Sequence, residues 1–258
     1  MRLAPRLCQY WVTLYRRTWR GSVFTSFLTP FLYLAAMGVG LGSFVDSNSG
    51  SAALGGISYL AFIAPGLLAT TALTTAVGES TYPVMGGFKW DRTYVSMAAS
   101  PLEPSDILLS HLVLVAFRIL TSCAVFIVVL AAFGALATWW GGLAALAVSV
   151  LLGMANATPV FALSARLAEP SAFALVYRLG LIPMFLFSGA FFPISQLPAG
   201  VAWVAYLTPI WHGVDLSRML TLDSVQWLPA LGHVAYLLLW LLAGWYLALR
   251  AFATRLAS

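Results

Sequence analysis

The chain has 258 residues, of which 61% are hydrophobic and only 8% charged, and its mean hydropathy is +0.92. A soluble domain carries about 25% charged residues, so the composition excludes that class and points to a polytopic membrane protein. The net charge of +5 and pI near 9.5 do not point to nucleic acid, because the arginines gather at the chain ends and in short loops, as the positive-inside rule expects.

Residues 1–23 come first. At about 100° per residue, Leu3, Leu7, Tyr10, Trp11, Leu14 and Thr18 share one helical face, while Arg2, Arg6, Arg16, Arg17 and Arg20 cluster on another. That pattern predicts an amphipathic helix lying in the membrane interface. A secretory signal also begins with basic residues, but this stretch is long and aromatic-rich and no A-x-A-like site follows, so retention is expected. Cys8 and Cys123 imply neither a disulfide framework nor a metal site.

Six spans follow, at residues 24–42, 57–77, 108–133, 142–165, 171–190 and 227–249. Spans one and two are separated by the polar turn Asp46-Ser47-Asn48-Ser49-Gly50-Ser51. A charge-bearing interval with Glu79, Lys89, Asp91, Arg92, Glu103 and Asp106 precedes span three. The charge-free run between Ile119 and Arg166 is too long for one helix and turns at residues 134–142, around Trp139 and Trp140, which suit an interface. A short Arg166-Leu167-Ala168-Glu169-Pro170 loop leads to span five.

No charge occurs from Leu179 to Val214, yet Pro193, Pro198 and Pro209 break this stretch into pieces too short for a hydrocarbon core of about 30 Å. Residues 191–218, with Trp211, Asp215 and Arg218, are therefore expected to dip into the membrane and return as an external re-entrant helical hairpin. Irregular backbone at that depth must be covered by protein or line a wet cavity. Charge supports the same count. The N-terminal arginines, Lys89, Arg92, Arg166, Arg250 and Arg255 all fall on one face, cytoplasmic by the positive-inside rule, whereas a seventh crossing would send Arg250 and Arg255 outside. The expected fold is all-α: one transmembrane domain over residues 1–258 with both termini cytoplasmic in the cell membrane.

Several chemistries are excluded. Lys89 is the only lysine, and Gly86-Gly87-Phe88-Lys89-Trp90 lacks the Ser or Thr and the earlier glycine of a phosphate-cradling loop, so no ATP site is expected here. His111, His212 and His233 fall on different predicted segments and sides, which argues against a metal cluster. No G-x-S-x-G elbow occurs.

Four blocks carry a family resemblance: Tyr59-Leu60-Ala61-Phe62-Ile63-Ala64-Pro65-Gly66; Ser100-Pro101-Leu102-Glu103-Pro104-Ser105-Asp106-Ile107-Leu108; Ser188-Gly189-Ala190-Phe191-Phe192-Pro193 through Leu197-Pro198; and Thr208-Pro209 with Val214-Asp215-Leu216-Ser217-Arg218. In their order the chain resembles the membrane-spanning permease subunit of ABC-2 type exporters, of the nodulation-protein-J and daunorubicin-resistance group. The resemblance covers nearly the whole chain, and its last block is the most specific. It implies two six-span permeases, identical or sister subunits, paired with separate cytoplasmic ATPase subunits that bind ATP and Mg. Its implied cargo is a lipid-linked, glycolipid or amphipathic drug-like molecule.

A permease of that kind needs a cytoplasmic element that receives motion. Residues 88–104 offer the longest such interval and mix Lys89, Asp91, Arg92 and Glu103 with Trp90 and Tyr94, as a docking surface should. Arg166 and Glu169 form a second candidate contact, and the alternative is an inert solvated loop. Arg118 and Arg178 lie inside spans three and five, where a lone charge costs about 2.5–3.5 kcal/mol at mid-membrane. Two readings stand for each: a meeting point for an anionic headgroup on the substrate path, or a structural group that snorkels or pairs with Glu79. A secondary transporter or channel without an ATPase, or a polytopic intramembrane enzyme, would fit the composition too. The first usually shows paired broken helices in inverted repeats, and the second needs convergent acid, base or metal groups.

Overall fold

Prolines and hydroxyl caps decide where the long apolar runs begin and bend. In the computed structural model, residues 7, 10–13, 15, 16, 28, 31–47, 54 and 56–257 are described. Among them every regular element is a helix. Most of the expected interfacial helix at residues 1–23, and the start of the first expected span, lie outside the described residues.

Helix α1 is Phe31–Ser47, with π-helical turns at Leu34–Leu41. Helix α2 (Tyr59–Ser80) starts at Ser58, whose hydroxyl accepts from the amide of Ala61. Pro83 cannot donate to the Glu79 carbonyl, so the chain bends at Thr81 (φ −96°, ψ −97°) before α3, Tyr82–Lys89. The Ser80 carbonyl at this bend accepts from the Ser164 hydroxyl at 2.7 Å. Arg92, at φ 51°, turns the chain into α4 (Thr93–Ala98).

Pro104 and a capping box between Glu103 and Asp106 start α5, Pro104–Ala132. Thr138 caps α6 (Trp139–Arg166). Helix α7 (Pro170–Leu186) widens to π geometry at Val176–Leu181. Two short helices follow, α8 (Ala199–Tyr206) and α9 (Pro209–Thr221), and then the long α10, Trp227–Ala257.

Among the described residues, four stretches are long and apolar enough to cross a membrane: Tyr59–Lys89, Pro104–Ala132, Trp139–Arg166 and Trp227–Ala257. The shorter α1 and α7 overlap the first and fifth expected spans. Helix α9 has 13 residues and reaches about 20 Å, less than a hydrocarbon core. It nevertheless buries Ile210, Val214, Leu216 and Leu220, packing against α2, α6 and α10.

Two contacts show which loops share an end. Lys89 Nζ donates to the Ala168 carbonyl at 2.9 Å, joining the α3–α4 turn to the α6–α7 loop. At the other end the Ala137 amide donates to the Thr221 carbonyl at 2.9 Å, so α9 terminates beside the α5–α6 turn. Trp139 and Trp227, which open α6 and α10 at that end, are exposed, as interfacial indoles are.

Close approach is built with glycine. Gly244 of α10 lies against Thr158 and Pro159 of α6, where an added Cβ would stand 2.8 Å from the Pro159 nitrogen. At Gly66 of α2 an added Cβ would fall 2.6 Å from Ala190 Cα and 2.8 Å from the Ala190 carbonyl oxygen. Backbone on both sides leaves no flexible atom to give way. Gly66→Ala is therefore expected to destabilise the protein by about 1–3 kcal/mol in detergent unfolding. Gly232→Ala, where the added carbon meets open space, should stay within about 0.5 kcal/mol of wild type.

Candidate functional site

Of the docking residues expected between 88 and 104, most reach the surface at one end of the bundle. Trp90 is 53% exposed, and Asp91, Arg92 and Glu103 are exposed too. Lys89 lies 3.9 Å from Glu169, tying the second candidate contact to the first, and Arg166 is exposed close by in sequence. Glu103 is held by its capping box and accepts from the Ser105 hydroxyl at 3.1 Å.

Tyr94 departs from this group. It is 0% exposed, so it offers no docking surface. Its ring packs edge-on to Phe88 at 4.7 Å and lies 5.3 Å from Phe252, and its hydroxyl hydrogen-bonds His111 Nδ1. Burial pushes the phenol well above its ordinary pKa, which keeps it neutral. His111 in turn stacks on Trp11 at 4.3 Å, and the Trp11 indole donates to the Ser110 hydroxyl at 3.1 Å. The mixture of charged and aromatic residues at 88–104 marked a surface, but not that the α3–α4 turn would fold Tyr94 inward.

The two arginines inside spans have different fates. Arg118 of α5 forms an ion pair with Glu79 of α2, both side chains about one-fifth exposed, and lies over the Tyr15 ring at 5.5 Å. Arg178, on the π-helical part of α7, is exposed, and among the described residues it makes no ion pair. The structure thus brings Arg118 and Glu79 together and leaves Arg178 apart from them.

Sequence reasoning missed a cavity of about 360 Å³ between α1, α2, α5 and α7, lined by Tyr33, Thr70, Thr71, Thr74, Phe126 and Phe185 among others. Thr70 and Thr71 both donate to the Leu67 carbonyl, at 2.9 and 2.8 Å, and Thr74 to the Thr70 carbonyl at 2.9 Å. With their hydroxyl hydrogens committed to their own helix, the threonines present methyl groups and acceptor oxygens to the cavity. The i, i+1, i+4 spacing of three threonines in an apolar run was the available signal.

In the expected external region, Arg218 Nη2 donates to the Gly189 carbonyl at 2.7 Å, and its guanidinium lies 4.1 Å over the Phe62 ring. Pro198 and Pro209 stand at the starts of α8 and α9, and Pro193 precedes a short 3₁₀ turn at Ile194–Gln196. The separation expected for His212 and His233 is corrected. Helix α9 folds back along α10 and places their Nδ1 atoms 2.8 Å apart, with Trp211 against both rings and Asp215 beside His233.

A sequence model described as ABC-2 type transporter matches residues 7–222. The chain belongs to that family. Among curated relatives it is 33% identical to Nodulation protein J of Rhizobium leguminosarum bv. trifolii over 219 residues, covering 82% of this chain and 81% of the relative. It is 31% identical to Nodulation protein J of Sinorhizobium fredii over 255 residues, covering 96% and 94% of the two chains. Against Nodulation protein J of Bradyrhizobium diazoefficiens the identity is 30% over 259 residues, covering 98% and 96%. This ABC-2 protein is thus a membrane transport protein, and the family role is that of the transmembrane subunit rather than of a catalyst.

In this ABC-2 chain Arg118→Gln strands the Glu79 carboxylate at a part-buried site, so it should lower stability by about 1–3 kcal/mol, less than a fully buried pair. The double variant Arg118→Gln/Glu79→Gln is expected to regain most of that loss, read as thermal unfolding in detergent.

Proposed function

We propose that this chain is the permease subunit of an ATP-driven exporter that moves a lipid-linked, glycolipid or amphipathic drug-like substrate out of the cytoplasm or the inner leaflet. The observation that carries the reading is the family match over residues 7–222, which takes in every helix except α10. It acts with a second copy or a sister permease and with a separate ATPase that binds ATP and Mg. The protein lies in the inner membrane as six spans with both termini in the cytoplasm, and α8 and α9 form an external re-entrant hairpin. The shared end of the α3–α4 turn and the α6–α7 loop supports that sidedness, since Lys89, Arg92 and Arg166 then fall together.

The ATPase docks on Lys89, Trp90, Asp91, Arg92, Glu103, Arg166 and Glu169. Substrate passes along α2, α5 and α7, where the threonine-lined cavity offers an apolar wall. Arg178, which makes no ion pair among the described residues, meets an anionic headgroup at the inner leaflet, while Arg118 and Glu79 hold the path's walls in register.

Trp90→Ala should weaken association with the ATPase about tenfold or more while leaving membrane assembly intact, measured by copurification with an ATPase encoded beside this chain. Tyr94→Ala should instead lower stability by about 3 kcal/mol through the cavity it leaves. Unchanged copurification and transport in Trp90→Ala would remove that surface from the reading. Topology is checked with single cysteines at Ser195 and Asp223, in a background lacking Cys8 and Cys123. Both should react with an impermeant thiol reagent from outside, and a cysteine at Ser100 only after permeabilisation.

A further inference from the structure

His212 of α9 and His233 of α10 are 21 residues apart in sequence, yet their Nδ1 atoms lie at 2.8 Å, the length of one hydrogen bond. His233 Nε2 is 3.2 Å from Asp215 Oδ2. Three titratable groups therefore form a row from Asp215 through His233 to His212. The Asp215 side chain is 30% exposed and that of His233 only 8%, while His212 is part-exposed, so the middle of the row is the part shut off from solvent. The His212 ring is flanked by Tyr236, stacked at 3.9 Å, and by Trp211 at 4.7 Å.

Other charged and titratable groups nearby are few. From α9 itself comes Arg218, whose Nη2 is directed to the Gly189 carbonyl. Helix α8 supplies Tyr206, whose ring meets Trp211 at 4.6 Å, and α10 supplies Tyr236, whose hydroxyl donates to the Leu207 carbonyl at 2.5 Å. Helices α2 and α6, also packed on α9, carry only Tyr59, Glu79 and Arg166 as ionisable groups, the last two at the opposite end of the bundle.

Hydrogen placement follows from the distances. Two facing imidazole nitrogens at 2.8 Å hold one hydrogen between them: two would collide, and none would oppose lone pairs. The Asp215 carboxylate accepts only, so His233 Nε2 carries a hydrogen. In the neutral pair His233 Nδ1 is then bare and accepts from His212 Nδ1–H. His212 Nε2 is left as a bare lone pair, and that atom is buried with no hydrogen-bond partner. One further proton enters at that bare His212 Nε2 and turns the pair into an imidazole–imidazolium beside a carboxylate, its charge spread through the Nδ1–Nδ1 bond, and both hydrogen bonds become charge-assisted, roughly twice as strong as neutral ones. A second proton would put hydrogens on both facing Nδ1 atoms and force the rings apart.

We propose that Asp215, His233 and His212 form a binding site for a single added proton, taken up at His212 Nε2 with its charge shared across the facing rings, that ties the α8–α9 hairpin to α10. The site answers to the acidity at the end of the bundle where α8, α9 and α10 meet, whatever substrate the protein carries. Only the compartment it samples rests on the sidedness proposed above.

The test is a titration of the full chain, 15N-labelled at histidine, in lipid nanodiscs. There are three histidines, and single His→Gln variants assign their signals. The nitrogens of His212 and His233 should change together through one step that takes up one proton for the two rings, with His111 not following. Asp215→Asn removes the facing charge and should weaken that uptake about tenfold or more. Two independent steps, one full proton for each ring, would overturn the proposal, as would a joint step that Asp215→Asn leaves in place. Should Asp215→Asn fail to fold, the wild-type titration decides alone between one shared step and two.

Discussion

Hydrocarbon offers no hydrogen bonds, so wherever this chain leaves helical geometry inside the bundle its own side chains must take over the backbone groups. The break after α7 is the severest case. There the Ser188 hydroxyl donates to the Phe185 carbonyl at 2.9 Å and accepts from the Ala190 amide at 3.3 Å, while Arg218 reaches across from α9 to the Gly189 carbonyl. Gly189 takes φ +77°, in the left-handed region that glycine enters without strain. Ala190 can then press onto Gly66 of α2. Because Arg218 joins the loop to α9 and lies over Phe62 of α2, this one side chain fixes three elements relative to each other. The placement of α9 against α6, and of α10 against both, follows from it.

The opposite end uses aromatic rings instead. Phe88, Tyr94 and Phe252 form mutual contacts at 4.7 to 5.3 Å, and Phe161 joins them through His111 at 5.1 Å. Trp11 closes the row through its stack on His111. Close-packed interiors have low compressibility and pass displacement on rather than absorb it. A displacement at Phe88, two residues from exposed Trp90, is thus passed to α5, α6 and α10 together.

What could be read from the residues was whatever a local rule governs. The prolines at 193, 198 and 209 broke an apolar run, and the structure has two short helices there. The capping box of Glu103 and Asp106, with Pro104, starts α5 four residues before the expected span at residue 108. The nearness of Arg118 to Glu79 was one of two readings, legible because a lone charge at depth is costly. Contacts that depend on how one helix folds back on another were not legible. The His212–His233 pair needs the return of α9 along α10, and periodicity within either segment carries no trace of it. Tyr94 was misplaced for the same reason, since a left-handed Arg92, unusual for a non-glycine, turns α4 inward. Helical registers of the first and fifth spans were obscured by π turns, which shift the face of every following residue.

Those π turns bear on the two arginines. In α5, regular helical geometry carries Arg118 onto the side that faces α2, where Glu79 lies in the last turn of α2, just before the bend at Thr81. The charge is neutralised within one chain. In α7 the π turn places Arg178 on the outer surface with Leu175 and Leu179, which are also exposed. An uncompensated guanidinium on such a face costs about 2.5–3.5 kcal/mol if it meets lipid tails at mid-membrane, and little at the headgroup level, where its stem can stay apolar and its head wet. Of the two arginines inside the expected third and fifth spans, the fold thus satisfies Arg118 and leaves Arg178 to its surroundings, and α7, short and widened, is the element that presents it.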